Sequence, residues 1–147
     1  AEICTDYDVV GLAYDRWRMA ELLLEFRRIG FDAYIEGTDD PYPGALRLVN
    51  WGQGFKDMAP AVDSLESSVI QRTLKHDGNP VLGFCFANAI VASDPSGNRK
   101  LDKSKSRFRI DGAVAATMAI GLKARDLADL EPTGPSFWEV LDPSKTY

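Results

Sequence analysis

Two aspartates stand where a carboxylate can do chemistry. Asp15 ends the run Tyr7-Asp8-Val9-Val10-Gly11-Leu12-Ala13-Tyr14, short and largely apolar with adjacent valines, which suits a strand buried on both faces. In open α/β sheets, ligand and metal sites collect at the carboxyl ends of strands, because the strand holds a side chain rigidly while the following loop leaves it open to solvent. Asp111 lies within Arg107-Phe108-Arg109-Ile110-Asp111-Gly112-Ala113-Val114-Ala115-Ala116-Thr117-Met118-Ala119, where basic residues give way to a nearly uncharged helical run. An acid at the mouth of such a helix is either a cap for its first turn or a ligand for a hard cation. The same two readings apply to Asp15, which stands just ahead of a helix start at Arg16-Trp17.

The elements that must position these groups follow from spacing. Met19, Leu22 or Leu23, Phe26 and Ile29 recur at helical intervals, and Gly30 supplies the stop. Phe31 to Ile35 reads as a second short strand, residues 37–44 as a loop, and Leu46 to Trp51 as another strand. Gly52-Gln53-Gly54-Phe55 permits a tight turn or close approach of a ligand to the backbone. It lacks the spacing and the lysine of a phosphate-cradling loop, and no other stretch supplies them, so nucleotide hydrolysis is not expected.

Met58, Val62, Leu65, Val69 and Thr73 mark one face of a helix, with Pro60 in its first turn. Asn79-Pro80 opens a further helix, asparagine as cap, whose residues Val81 to Phe86 read as core. Ala89 to Ala92, the turn Asp94-Pro95-Ser96-Gly97-Asn98 and the return Arg99 to Leu101 make a hairpin. Residues 1–125 thus form one domain. Residues 126–147, with Pro132, Pro135, Pro143 and Gly134, have no periodic apolar face and read as an extended tail. Its one sticky patch, Phe137, Trp138, Val140 and Leu141, either folds back on the domain or docks on a partner.

Composition narrows the classes. A chain of 147 residues that is 45% hydrophobic and 27% charged fits one globular domain. No apolar run approaches the roughly 20 residues of a membrane helix, and Ala1-Glu2-Ile3-Cys4 has no signal character, so a cytosolic protein without membrane contact is expected. Cys4 and Cys85 fit no metal or redox spacing and read as buried thiols. The lone histidine, His76, sits in Lys75-His76-Asp77-Gly78 without a second imidazole or a Gly-x-Ser-x-Gly serine. It therefore reads as a surface turn or a polyanion contact ahead of a catalytic group. The net charge is -5, yet Arg99, Lys100, Lys103, Lys105, Arg107 and Arg109 face only Asp102 within their segment, a local +5 that leaves -10 for the remainder. That segment is either a solvated loop or the surface that meets a polyanion.

In their order, Leu12-Ala13-Tyr14-Asp15-Arg16-Trp17, Gly52-Gln53-Gly54-Phe55, Asn79-Pro80-Val81-Leu82, the hairpin ending in Lys100-Leu101-Asp102-Lys103-Ser104-Lys105-Ser106, and Arg109-Ile110-Asp111-Gly112-Ala113-Val114-Ala115 resemble the large terminase subunits of tailed phages over residues 8–123. The resemblance implies an α/β, ribonuclease-H-like nuclease domain: a mixed sheet flanked by helices, with an auxiliary β-hairpin. It implies a DNA endonuclease that cuts concatemeric DNA during genome packaging, with Asp15 and Asp111 as catalytic ligands of Mg²⁺ or Mn²⁺. The partners it implies are double-stranded DNA, held by Arg99, Lys100, Lys103, Lys105, Arg107 and Arg109, together with the portal protein and the small terminase subunit, in the cytoplasm of a bacterial host. At about 100° per residue Asp111 projects with Ala115, Met118 and Leu122, towards the packed side of its helix, where a bare carboxylate is costly and a metal would offset the cost.

The family's first aspartate, its opening strands and its ATPase domain have no counterpart here, so the chain reads as a fragment with an incomplete sheet. An uncovered strand edge near Val9 would then favour self-association. Two alternatives stand beside the nuclease: a non-catalytic DNA-binding or degenerate prophage fragment, and a junction-resolving nuclease of the same superfamily.

Overall fold

The computed structural model describes residues 2–15, 17 and 19–130, so the sticky patch at Phe137 to Leu141 lies outside the described residues. Their elements run α1 (Glu2–Asp6), β1 (Leu12–Tyr14), α2 (Met19–Arg28), β2 (Ala33–Ile35), β3 (Leu46–Asn50), α3 (Phe55–Ile70), α4 (Pro80–Ala87), β4 (Val91–Ser93), β5 (Arg99–Leu101) and α5 (Asp111–Leu130). Strands β1, β3 and β2 form a parallel sheet in that spatial order, and β4 and β5 form a separate antiparallel hairpin. This is the expected α/β architecture with its auxiliary hairpin. Antiparallel pairing among the described strands is confined to the hairpin.

Local chemistry explains the element ends. Gly30 adopts φ +67°, Gly30 N–H donates to Arg27 O at 3.1 Å, and Phe31 N–H donates to Phe26 O at 2.8 Å. This paired closure needs a left-handed residue and ends α2 where the sequence placed the stop. Asn79 Oδ1 accepts from Val81 N–H at 2.9 Å and Leu82 N–H at 3.3 Å, with Pro80 in the first helical position, so the predicted cap of α4 forms. Asp94 closes the hairpin by accepting from the amides of Ser96 and Asn98 and from the Asn98 side chain. These bonds favour the charged form and hold its carboxyl below the usual range.

Several expectations need correction. The first strand is confined to Leu12–Tyr14, and Val10 is exposed, because β1 pairs only with β3 and forms a sheet edge among the described residues. The strand buried on both faces is the central one, β3, whose neighbours Leu48 and Val49 point to opposite faces and are both fully buried. Helix α3 begins at Phe55, which puts Pro60 inside the helix and not in its first turn. Helix α4 buries only Cys85, while Val81 and Phe84 are exposed. Cys4 is exposed. Helix α5 continues to Leu130, so Asp126 to Leu130 are helical and not the start of an extended tail.

The core lies between α3, α5 and one face of β3. Val49, Trp51, Met58, Ala61, Cys85, Ile110 and the buried face of α5 form one cluster. At its centre α3 and α5 approach so closely that a Cβ added at Gly121 would lie 2.5 Å from Ala61 Cβ and 2.7 Å from Trp51 Cζ2. Thr117, fully buried beside this contact, satisfies its hydroxyl by donating to Ala113 O at 2.7 Å. Gly121→Ala is therefore expected to destabilise the domain by about 1–3 kcal/mol through overpacking, although alanine is the better helix former by about 1 kcal/mol. Gly83→Ala in α4, where an added Cβ meets open space, is expected to be neutral or stabilising by up to about 1 kcal/mol. Urea midpoints of the two variants check the contrast, and a destabilised Gly83→Ala would contradict it.

Candidate functional site

Asp15 directly follows β1, where Trp51 N–H donates to Tyr14 O at 2.8 Å, so it stands at the carboxyl end of the sheet beside the turn that leaves β3. Its half-buried carboxylate is held from two directions. Oδ2 accepts from Gln53 Nε2 at 2.7 Å, and Oδ1 accepts a longer contact from Trp17 N–H at 3.4 Å. The Trp17 contact belongs to the local turn, as a cap would; the Gln53 bond fastens Asp15 to a turn remote in sequence. Sequence reasoning passed over Gln53, reading Gly52-Gln53-Gly54-Phe55 only through its glycines. A side-chain amide between two glycines beyond a strand was the available signal.

Asp111 is the first residue of α5, and its side chain is 65% exposed, so the projection towards the packed side does not hold. Met118 and Leu122 share its azimuth and are buried, but Asp111 occupies the open end of the helix and Ala115 is exposed with it. The first turn is walled at Gly112, where Cys85 and Leu82 of α4 press against the backbone. No desolvation cost therefore requires a metal to offset it. The carboxylate instead pairs with Lys103, whose Nζ lies 2.8 Å from Oδ1. That hydrogen bond and the charge of Lys103, reinforced by Arg109, hold the Asp111 carboxyl below the usual aspartate range.

The packing of α5 fixes where the two acids lie relative to the sheet. Arg47, early in β3, binds Asp126 near the end of α5, while Trp51, just beyond β3, packs on Gly121. Helix α5 thus runs antiparallel to β3, and its amino end, with Asp111, points the same way as the carboxyl end of β1, with Asp15. Between the level of Gly121 and Asp111 the helix rises about 15 Å, so the shared end is broad. Among the described residues, no group of three or more histidine, cysteine, aspartate or glutamate side chains forms a site for a metal ion. Asp15 and Asp111 each offer the oxygen donors that Mg²⁺ and Mn²⁺ prefer.

The residues of the basic segment differ in their partners. Arg99 is spent internally: its guanidinium donates to Asp63 and Glu66 of α3, each at 2.6 Å, clamping the hairpin to that helix. These bonds raise the pKa of Arg99 and lower that of Glu66. The acids of α3 were not singled out in the sequence, although their three-residue spacing places them on one helix face. Lys100 lies over the Phe55 ring, 4.9 Å from its centroid, and is half-buried. Lys103 faces Asp111, and Lys105 is 3.8 Å from Asp102. Arg107 rests on Phe108, and both Arg107 and Arg109 are exposed beside a shallow cleft of about 270 Å³ that reaches Lys103 and Asp111. His76 is exposed in the irregular segment between α3 and α4, with Nδ1 accepting from Gly78 N–H at 3.0 Å.

Residues 2–126 match the family described as terminase large subunit, endonuclease domain. The chain is 46% identical over 121 residues to the terminase large subunit of Enterobacteria phage HK97, a span covering 82% of this chain and 21% of that protein. It is 32% identical over 71 residues to protein YmfN of Escherichia coli (strain K12), covering 47% of this chain and 16% of that one. The crystal structure of the HK97 bacteriophage large terminase superposes with a TM-score of 0.68 at 45% identity, over 82% of this chain and 22% of that chain. The chain thus spans about a fifth of the length of the terminase it matches and shares the fold of that region.

The Lys103 contact predicts a titration. Because the Asp111 pKa is depressed, the ion pair contributes stability above the ordinary aspartate range and loses it only as pH falls through the lower, folded-state value. Lys103→Ala is expected to move the Asp111 carboxyl up towards the ordinary aspartate value of about 3.9. Side-chain carboxyl NMR titration reads this directly, and an unchanged midpoint would show that Lys103 does not govern this acid.

Proposed function

The chain belongs to the terminase large-subunit endonuclease family, and from that premise we propose that it is the metal-dependent DNA endonuclease domain of a phage terminase, acting on concatemeric DNA as genomes are packaged. The observation that carries this reading is the arrangement of Asp15 at a strand end and Asp111 at a helix start, both facing one end of the domain, with the exposed arginines of the β5–α5 loop beside Asp111. In this reading Asp15 and Asp111 hold Mg²⁺ or Mn²⁺, with the rest of the coordination shell supplied from outside the described residues. The bound ion supplies Lewis-acid stabilisation of charge at a phosphodiester. Gln53 holds the orientation of the Asp15 carboxylate, and Lys103 balances the charge of Asp111. Arg107 and Arg109, with Lys100, Lys103 and Lys105 behind them, hold the DNA backbone without reading sequence. Arg99, assigned to DNA from the sequence, serves instead to hold the hairpin in place.

The substrate on this reading is double-stranded DNA, and the partners are the portal protein and the small terminase subunit in the bacterial cytoplasm. No described helix is long and apolar enough to cross a membrane. A second reading, DNA binding without cleavage, is favoured by the Lys103 ion pair, which already occupies one oxygen of Asp111.

Incubated with Mn²⁺ and supercoiled plasmid, the chain is expected to nick DNA, and Asp15→Asn and Asp111→Asn are each expected to lower the rate by at least about 10–100-fold. Equal nicking by all three proteins would remove both aspartates from the mechanism; binding without nicking by any would select the second reading. DNA affinity measured against salt separates the basic residues. Arg107→Ala and Arg109→Ala should each reduce the slope of log K on log[salt] by about 1, whereas Arg99→Ala should leave the slope unchanged and lower thermal stability.

A further inference from the structure

The side of the domain that carries Arg107 and Arg109 also exposes two aromatic rings. Phe108, between those arginines, is 46% exposed, and Phe84 of α4 is 49% exposed. Their centroids lie 5.3 Å apart with the planes inclined at 64°, an edge-to-face pair formed at the surface. Val81, one helical turn before Phe84, is 68% exposed and extends the patch. Apolar residues exposed singly need no explanation, but rings paired in water do. The core is within reach here, since Ile110, two residues beyond Phe108, is fully buried. The rings are also held in place. Asn88 Nδ2 donates to Phe84 O at 2.8 Å, and the Ser106 hydroxyl lies 2.9 Å from Asn88 O and 2.7 Å from Phe108 O, tying α4 to the loop. A platform so preorganised loses little conformational freedom when something binds on it.

We propose that Phe84 and Phe108 form a stacking platform for unpaired bases of DNA, so that the basic loop binds a strand with open bases in preference to a closed duplex. Charge selects the class of partner. From Lys103 to Arg109 the chain carries four cations and no acid, and the Arg107 guanidinium lies 5.5 Å from the centroid of the Phe108 ring. A ligand that satisfies both features is anionic along its backbone and carries flat apolar faces, and single-stranded nucleic acid has both. A closed duplex presents phosphates and groove edges and keeps its base faces stacked inside, which leaves the rings unused. The cleft of about 270 Å³ lined by Arg107, Phe108 and Arg109 also reaches Asp111, so platform and acid share one depression. The proposal rests on this loop facing DNA, as in the reading above, and not on cleavage or on a metal.

Fluorescence anisotropy in EDTA, where no strand is cut, tests this on the full chain with a labelled single strand, a blunt duplex and the same duplex bearing a short unpaired flap. Wild type is expected to bind the flap at least about fivefold more tightly than the blunt duplex. Phe108→Ala should weaken binding of the single strand and the flap by about 5–100-fold and of the blunt duplex by less than about twofold. Phe84→Ala should act in the same direction. Phe108→Leu, which keeps the apolar bulk without a flat face, should behave as the alanine variant, whereas Phe108→Tyr should restore wild-type affinity; circular dichroism checks that each variant folds. Equal affinity of wild type for flap and blunt duplex, or equal losses on all three DNAs, overturns the proposal. Unchanged binding of every DNA by Phe84→Ala and Phe108→Ala also overturns it and leaves the patch to a protein partner. Failure of wild type to bind any DNA removes the DNA-facing reading of the loop and this proposal with it, whereas loss of plasmid nicking with the flap preference intact touches the nuclease reading alone.

Discussion

The contact of Gly121 with Ala61 and Trp51 is the constraint on which the remaining geometry depends. Without a side chain at Gly121, α5 lies directly against α3 and the end of β3, with Ala61 of α3 buried opposite it where a larger residue would hold the helices apart. Close approach increases the number of dispersion contacts, each weak and together considerable. It also fixes the depth of α5, and with it the position of the helix start that bears Asp111. The other end of α5 is held by charge. Arg47 and Arg125 share Glu36 and Asp126, in a partly buried network less screened than exposed pairs would be. Burial disfavours the charged form of Asp126, but the hydrogen bonds and charges of Arg47 and Arg125 outweigh it and keep the carboxyl below the usual range.

Charge in the basic segment is used in two ways that the linear sequence does not distinguish. Arg99 lies on a strand, where the hairpin register points it at α3, and there it becomes a structural clamp. Arg107 and Arg109 lie in the loop that precedes α5, among residues ordered by Asp102, whose carboxylate accepts from the amides of Ser104 and Lys105, and by Ser106, whose hydroxyl donates to Asn88 O and Phe108 O. The loop is thus shaped by its own short polar residues, leaving its arginines exposed. A local excess of positive charge is a necessary condition for a polyanion surface, and side-chain partners decide which members belong to it.

Much of the fold was legible because the signals are local. The stop at Gly30, the Asn79 cap, the hairpin turn around Asp94 and the strand end at Asp15 each depend on residues a few positions apart. The errors have a common origin in neighbours distant in sequence. Val10 sits in a run with the composition of a buried strand, yet it lies ahead of the short β1 and is exposed. Asp111 has the azimuth of a buried residue, yet it stands past the end of the wall that covers Met118 and Leu122. Gln53 drew no reading of its own from the sequence, and only the pairing of β3 alongside β1 brings it to Asp15.

By itself the sequence determined the family, the order of elements from β1 to α5 and the two acids worth attention, because motifs, caps and periodicity are properties of short stretches. Tertiary structure decided that Asp15 is tied to Gln53, that Asp111 is exposed and paired with Lys103, and that Arg99 serves the hairpin while Arg107 and Arg109 face outward. Those outcomes depend on which surfaces meet when α5 packs antiparallel to β3, and burial and charge pairing arise only from that meeting.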